Sequence, residues 1–349
     1  MIGKNMKNSS EIIAGRDIGI DIMKCLAAFL VICIHCPFPG RIGEYFITIT
    51  RIAVPLFFMI TGYYFPSIKK NNREKSQIIK IVLLVLKANI LYFVWDIIYA
   101  IVLRQNILVY IKDLLAIKNI ILFLTLNESP FAGHLWYLGA LLYTLIFMHF
   151  ISGSKFFKKK LSILLFLLII DLTFGKYSLL LFGKEYSYLL VRNFAFVGIP
   201  YFTLGYLLNN YKIRVDIRTL YVTLVLFTST SLLERLILVT NVVNAERDHY
   251  ISTTFLAITI FLIFTTIKSQ KNCYLENLVA KIGREYSTGI YIIHPIISMI
   301  LTFLAKKMGV LSYFRYFLAV AVFIICVIFM AFYKTIIIKI TSYGSRNRV

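Results

Sequence analysis

The stretch DIMKCLAAFLVICIH, from Asp21 to His35, sets an acid, an amine and an imidazole along one apolar segment of membrane length. Ionisable groups inside a bilayer are costly, so each marks a functional-site hypothesis by default. The spacing sharpens it. Lys24 and His35 stand eleven residues apart, three helical turns at about 100° per residue, so they share a face and lie about 16 Å apart along the axis. Asp21 comes one turn before Lys24 on that face. One helix thus offers a cation near one membrane surface and a base toward the other. The plainer reading is a snorkelling lysine and a core histidine bonded to a backbone carbonyl.

The elements that must position these groups are membrane spans. Hydrophobic residues make up 59% of the 349-residue chain and charged residues 15%, against about one half and one quarter in a soluble domain. The pattern predicts an all-α, multi-pass helix bundle of the cell membrane, one domain over residues 1–349. Ten transmembrane spans are expected, at 18–36, 46–65, 78–103, 134–151, 161–174, 189–208, 219–240, 251–267, 286–305 and 315–339. The segment Ile107–Leu126 carries Lys112, Asp113 and Lys118 and reads as an interfacial or re-entrant helix. The net charge of +22 does not indicate nucleic acid, because the cations lie in short loops between spans. They gather in alternate loops: Lys69, Lys70, Arg73 and Lys75; Lys155 and Lys158 to Lys160; Lys212, Arg214 and Arg218; Lys268, Lys271, Lys281 and Arg284. Lys4, Lys7, Arg16, Arg346 and Arg348 place both termini with them, so both are expected in the cytoplasm. The basic N-terminus runs straight into a full span, which reads as no cleavable signal peptide. Cys25, Cys33, Cys36 and Cys326 fall in spans and Cys273 in a cytoplasmic loop, so no disulfide framework is expected. CIHC has CxxC spacing, but small apolar packing is the reading, with no metal.

Other constellations follow the first. Arg51 opens the second span on the outer side, where it gains nothing from charge sorting and can hold an anionic headgroup, a carboxylate or an acidic partner. Pro55 and Thr61–Gly62 are expected to break that span. His134 heads the fourth span and is a cleft-lining candidate, beside Trp136 and Tyr137 as interface anchors. Arg192 and Asn193, followed by Gly198, Pro200 and Gly205, predict a broken helix lining a cavity. Glu234 and Arg235 read as a buried ion pair, and Arg247, Asp248 and His249 as a solvated loop. Ser287, Tyr291 and His294 share a face of the ninth span, and mid-span His294 needs a partner such as a Tyr or Ser hydroxyl on a facing helix. No P-loop, dinucleotide fingerprint, HExxH or GxSxG occurs, which argues against ATP-driven transport and the commonest hydrolase designs.

Together these segments resemble acyltransferase family 3, from Asp21 to Pro295. Asp-x-x-Lys-x10-His in the first span resembles the family's Arg-x10-His signature, and VPLFFMITGYYF its Phe-rich Ser-Gly-Tyr segment. HLWYLGALLY, GIPYFTLGYLL and GREYSTGIYIIHP resemble later landmarks in the expected order. The resemblance implies an integral membrane O-acyltransferase that passes an acyl group, often acetyl, from cytoplasmic acyl-CoA to a hydroxyl of an envelope glycan or lipid-linked sugar. It uses acyl-CoA as co-substrate and binds no cofactor. It also implies that His35 is catalytic, as general base or transient acyl carrier. Lys24 stands where the family has arginine, which keeps the charge and loses the planar fork; Lys24 with Asp21 is the expected donor side. Arg51, His134, Arg192, Tyr291 and His294 are the expected acceptor-side or supporting residues. Some members resemble the membrane half of serine racemases, so a non-catalytic carrier of an amino acid or lipid-linked sugar is the alternative.

Overall fold

The structure, a computed structural model, describes residues 17–154, 157–241, 243, 249–266 and 273–346, with backbone only at 158–160 and 338–346. Lys4, Lys7, Arg16, Lys155, Arg247, Asp248, Lys268, Lys271 and Arg348 lie outside the described residues. Among the described residues every regular element is helical, which satisfies the backbone within each segment as a bilayer requires. The order begins α1 (Ile18–His35), α2 (Gly40–Thr50), α3 (Ala53–Lys70), α4 (Glu74–Val102), α5 (Ile107–Leu114) and α6 (Ile117–Leu126). It continues with α7 (Trp136–Ile151), α8 (Phe157–Leu164), α9 (Leu167–Phe174), α10 (Ser178–Phe182), α11 (Ile199–Tyr211) and α12 (Ile217–Thr240). Last come α13 (Ile251–Thr266), α14 (Tyr274–Lys307), α15 (Leu311–Phe314) and α16 (Leu318–Arg346).

Among the described residues, seven helical stretches are long and apolar enough to cross a membrane: Ile18–His35, Gly40–Lys70, Glu74–Val102, Gly133–Ile151, Ile217–Thr240, Tyr274–Lys307 and Leu318–Ile337. The other three expected spans are shorter or interrupted. Residues 161–174 are divided between α8 and α9 at Leu165–Phe166, and α13 has 16 residues. The span expected at 189–208 opens with a 3₁₀ turn and a π-helical turn, Phe194–Gly198, before α11 begins. The expected break in that helix is therefore present. The break expected at Pro55 and Thr61–Gly62 is not. Pro55 falls in the first turn of α3, where no intrahelical N–H bond is lost. The helix runs on through Thr61, whose hydroxyl donates to Phe57 O at 3.0 Å. Ile107–Leu126 forms two short helices with no buried residue.

The chain divides into two compact units, one comprising Met1–Gly43, Arg214–Leu224 and Thr259–Val349, the other Glu44–Ile213 and Val225–Ile258. In the first unit α1 lies along α14, and α14 along α16. Asp17 caps α1 by accepting Ile20 N–H at 3.2 Å, and Cys36 followed by Pro37 ends it. Gly283 lets α14 reach the α1 backbone: a Cβ there would lie 1.8 Å from Asp21 O and 2.8 Å from Cys25 N. In the second unit α3 lies along α11 by the same device, used reciprocally. A Cβ on Gly62 would meet Phe202 O, and one on Gly205 Met59 O, each at 1.9 Å. Small residues at the contact are how membrane helices gain packing where lipid gives no hydrophobic drive.

Candidate active site

In the first unit the close approach at Gly283 brings the two helices' charges together. Lys24 Nζ donates to Asp21 Oδ1 at 2.8 Å, and Arg284 lies 3.7 Å from Asp21 Oδ2. Arg284 also pairs with Glu285 at 3.3 Å, and Lys334 of α16 reaches Glu285 at 2.7 Å. The result is a ladder of alternating sign, Lys24–Asp21–Arg284–Glu285–Lys334, with three cations and two acids. Asp21 is buried, while Lys24, Arg284 and Lys334 keep 24%, 34% and 43% of their side chains exposed. Just before it, burial pushes the Asp17 carboxyl above its usual range, against the lowering pull of the Ile20 cap bond.

At the far end of the same helix pair stand two imidazoles. His35 is the last residue of α1, and its ring lies 5.1 Å, centroid to centroid, from the ring of His294. His294 is fully buried. Its Nδ1 lies 2.8 Å from Tyr291 O and 3.2 Å from Ile290 O. Carbonyls only accept, so Nδ1 carries the proton and Nε2 is the basic nitrogen of the neutral ring. For Nδ1 the polar partner is thus the helix's own backbone, the carbonyls one turn back from the ring. Tyr291 contributes its ring, 6.3 Å from that of His294. One residue beyond His35, Cys36 Sγ meets Ser298 Oγ at 3.0 Å. Asp21 with Arg284, His35 with His294 and Cys36 with Ser298 all pair in the same order, so α1 and α14 run parallel.

The second unit holds Arg51, His134 and Arg192. Arg192 donates to both Glu128 oxygens at 3.1 and 3.2 Å. Its guanidinium stacks over Tyr188 at 4.6 Å and Trp136 at 5.2 Å, a setting in which arginine gains cation–π attraction. Burial pushes the Glu128 carboxyl up, against the lowering pull of Arg192. Asn127, in the left-handed region at φ 55°, ties this loop down: its Nδ2 donates to Trp136 O and its Oδ1 accepts Phe194 N–H. His134 is buried, its ring edge-on to Tyr92 at 4.9 Å. Trp136 and Tyr137 are buried too and are packing groups here rather than interface anchors. Arg51 is buried at the turn between α2 and α3. Glu234 and Arg235 do not pair with each other. Glu234 accepts from Ile251 N, Ser252 N and Ser252 Oγ, whereas Arg235 lies 3.6 Å from Glu44. Adjacent residues on a helix point about 100° apart, so each finds its own partner. His249 is not solvated either: buried, it pairs with buried Asp171 at 2.9 Å. Among the described residues no three His, Cys, Asp or Glu side chains gather as a metal site.

The acyltransferase domain of acyltransferase family 3 matches residues 17–333. The chain belongs to this family. The match takes in α1, α14 and four of the five ladder residues, Lys334 lying one position beyond it. Among curated proteins, the chain is 31% identical to an amino-acid racemase of Enterococcus faecalis over 148 residues, 37% of this chain and 19% of that protein. It is 47% identical to a serine/alanine racemase of Enterococcus gallinarum over 51 residues, 13% of this chain and 7% of that protein. The chain thus spans less than a fifth of the length of these relatives. No solved structure matches.

Arg284, Lys334 and Glu128 were not singled out as site residues by the sequence. For Arg284 a signal exists. It precedes His294 by ten residues, as Lys24 precedes His35 by eleven. Two spans with a cation and then a histidine at nearly equal spacing are a pattern that parallel packing brings into register.

Proposed function

We propose that this membrane acyltransferase moves an acyl group, acetyl in the first instance, from cytoplasmic acyl-CoA to a hydroxyl of a cell-envelope or exported polysaccharide. The observation that carries the reading is the α1–α14 pair, with a cationic ladder at one end and two imidazoles at the other. Lys24, Arg284 and Lys334 suit the phosphates of acyl-CoA, since each keeps exposed donors while Asp21 and Glu285 hold them in place. His35 takes the proton of the acceptor hydroxyl as its oxygen attacks the thioester carbonyl. The C–S bond then breaks, and the departing thiolate takes that proton from the imidazolium, leaving ester and free thiol. The negative end of the α1 dipole faces the charge that develops on His35. His294, its Nδ1 held by the Tyr291 and Ile290 carbonyls, positions His35. The cytoplasmic placement of the ladder follows the basic loops.

Labelled acetyl-CoA supplied to inverted membrane vesicles tests the reading. Label should enter polysaccharide or lipid-linked sugar with wild type and fall at least about 10²-fold with His35→Ala at equal membrane content. Full transfer by His35→Ala sinks it. The names of the two racemase relatives favour a second reading, a carrier of an amino acid. Labelled serine crossing the same vesicles without any acyl transfer would support that instead.

A further inference from the structure

Asp96 has no part in the scheme above. It stands toward the Val102 end of α4 and is 9% exposed. Its Oδ2 is enclosed and meets no hydrogen-bond donor among the described residues. An orphaned buried acceptor destabilises the fold that holds it, and a carboxyl in a membrane-spanning helix does so more. Such a group is kept where a ligand completes it.

The surroundings indicate which ligand. Ala88, Tyr92, Asp96 and Ala100 recur every fourth residue and are all buried, so they form the inward face of α4. The segment between α6 and α7 is bonded along that face. Ser129 Oγ donates to Asn89 Oδ1 at 2.8 Å and accepts Phe131 N–H at 3.2 Å, and His134 meets the Tyr92 ring. One turn further along, Asp96 continues the row. Tyr92 and His134 set aromatic surface beside Asp96's place in the row. A hydroxyl brings one hydrogen, which the one orphaned oxygen can accept.

We propose that Asp96, with Tyr92 and His134, forms a subsite for a neutral sugar, whose hydroxyl donates to the Asp96 carboxylate. This rests on the acceptor being a glycan, as argued above, and adds the residue that recognises it. The test is binding, without acyl-CoA. Wild type, Asp96→Asn and Asp96→Leu are placed in lipid nanodiscs, and thermal midpoints are followed against the methyl glycosides of glucose, galactose and N-acetylglucosamine, and against serine. At least one glycoside should raise the wild-type midpoint. Its apparent Kd should rise about tenfold or more in both variants, the worth of one hydrogen bond to a charged group. Asp96→Leu without ligand should match or exceed wild type, because the orphaned group is gone. No glycoside shift in wild type, an equal shift in Asp96→Leu, a response to serine alone, or a lowered unliganded midpoint in Asp96→Leu would each overturn the subsite. Loss of label transfer with the glycoside shift intact would count against the acyl-transfer reading and not against Asp96.

Discussion

Replacing Gly283 by alanine should force α1 and α14 apart. The added Cβ would sit 1.8 Å from Asp21 O and 2.8 Å from Cys25 N, where ordinary contact begins at 3.4 Å. Both obstacles are backbone, so no rotamer change relieves the clash, and the helices must part by about 1.5 Å at that level. The Lys24–Asp21 bond lies within one helix and survives. The Asp21–Arg284 contact starts at 3.7 Å, so the same displacement takes it beyond ion-pair range. Overpacking of this kind costs about 1–3 kcal/mol, and a rigid backbone obstacle puts this site at the upper end. Gly289→Ala on the same helix is the control, since its Cβ would meet only the flexible Met330 side chain, at 2.3 Å. In reconstituted protein, Gly283→Ala should lower the thermal midpoint by several degrees and raise the donor KM, while Gly289→Ala stays near wild type. Equal midpoints for the two variants would refute the close-contact argument. A lowered midpoint with unchanged donor KM would separate the helix contact from any role of Arg284 toward the donor.

Lys24→Arg should retain transfer and Lys24→Met should raise the acyl-CoA KM, since arginine keeps the charge that the ladder uses; unchanged donor kinetics in Lys24→Met would leave Lys24 as a snorkelling residue. Arg192→Gln removes the charge that opposes burial at Glu128, whose carboxyl is already raised. A raised folded-state value means that the folded form holds the proton more tightly, so its stability falls as pH rises through that value. The deficit of Arg192→Gln against wild type should therefore be small in acid and grow toward neutral pH in thermal melts; a deficit flat across pH would contradict it. His249→Ala removes the 2.9 Å contact to buried Asp171 and should lower the thermal midpoint, while joint replacement of both by leucine recovers most of the loss; a joint variant as unstable as the single one would argue against the pair.

The all-helical, multi-span character was legible in the sequence because apolar length reports directly on a bilayer. So was the face shared by Asp21, Lys24 and His35, since periodicity within one helix is local. What sequence could not supply was the partner across a contact. Arg284 read as loop charge because nothing in GREYSTG states that Gly283 abuts Asp21. His249 read as solvated because the loop before α13 is polar, whereas its acid comes from α9, 78 residues away. Asp96 was passed over because a lone acid in the apolar run Ala88–Val102 carries no pattern. Glu234 and Arg235 misled for the opposite reason: adjacency in sequence suggested a pair that helix geometry prevents.

The parallel course of α1 and α14 sets a parity on the whole chain. Successive crossings of a membrane alternate in direction, so two parallel spans must both be odd-numbered or both even-numbered. Counted among the seven long helical stretches, α1 is first and α14 is sixth. If each of the seven crosses once, then an odd number of the segments between them that are too short or too interrupted to qualify must cross as well. The candidates are residues 161–174, the broken stretch leading into α11, and α13. A segment such as 161–174 covers only about 21 Å at helical rise, less than the roughly 30 Å of hydrocarbon. The bilayer beside it must thin, or protein must cover its ends. Whichever of the three candidates crosses, the bundle then holds at least one crossing that a full-thickness bilayer does not accommodate unaided.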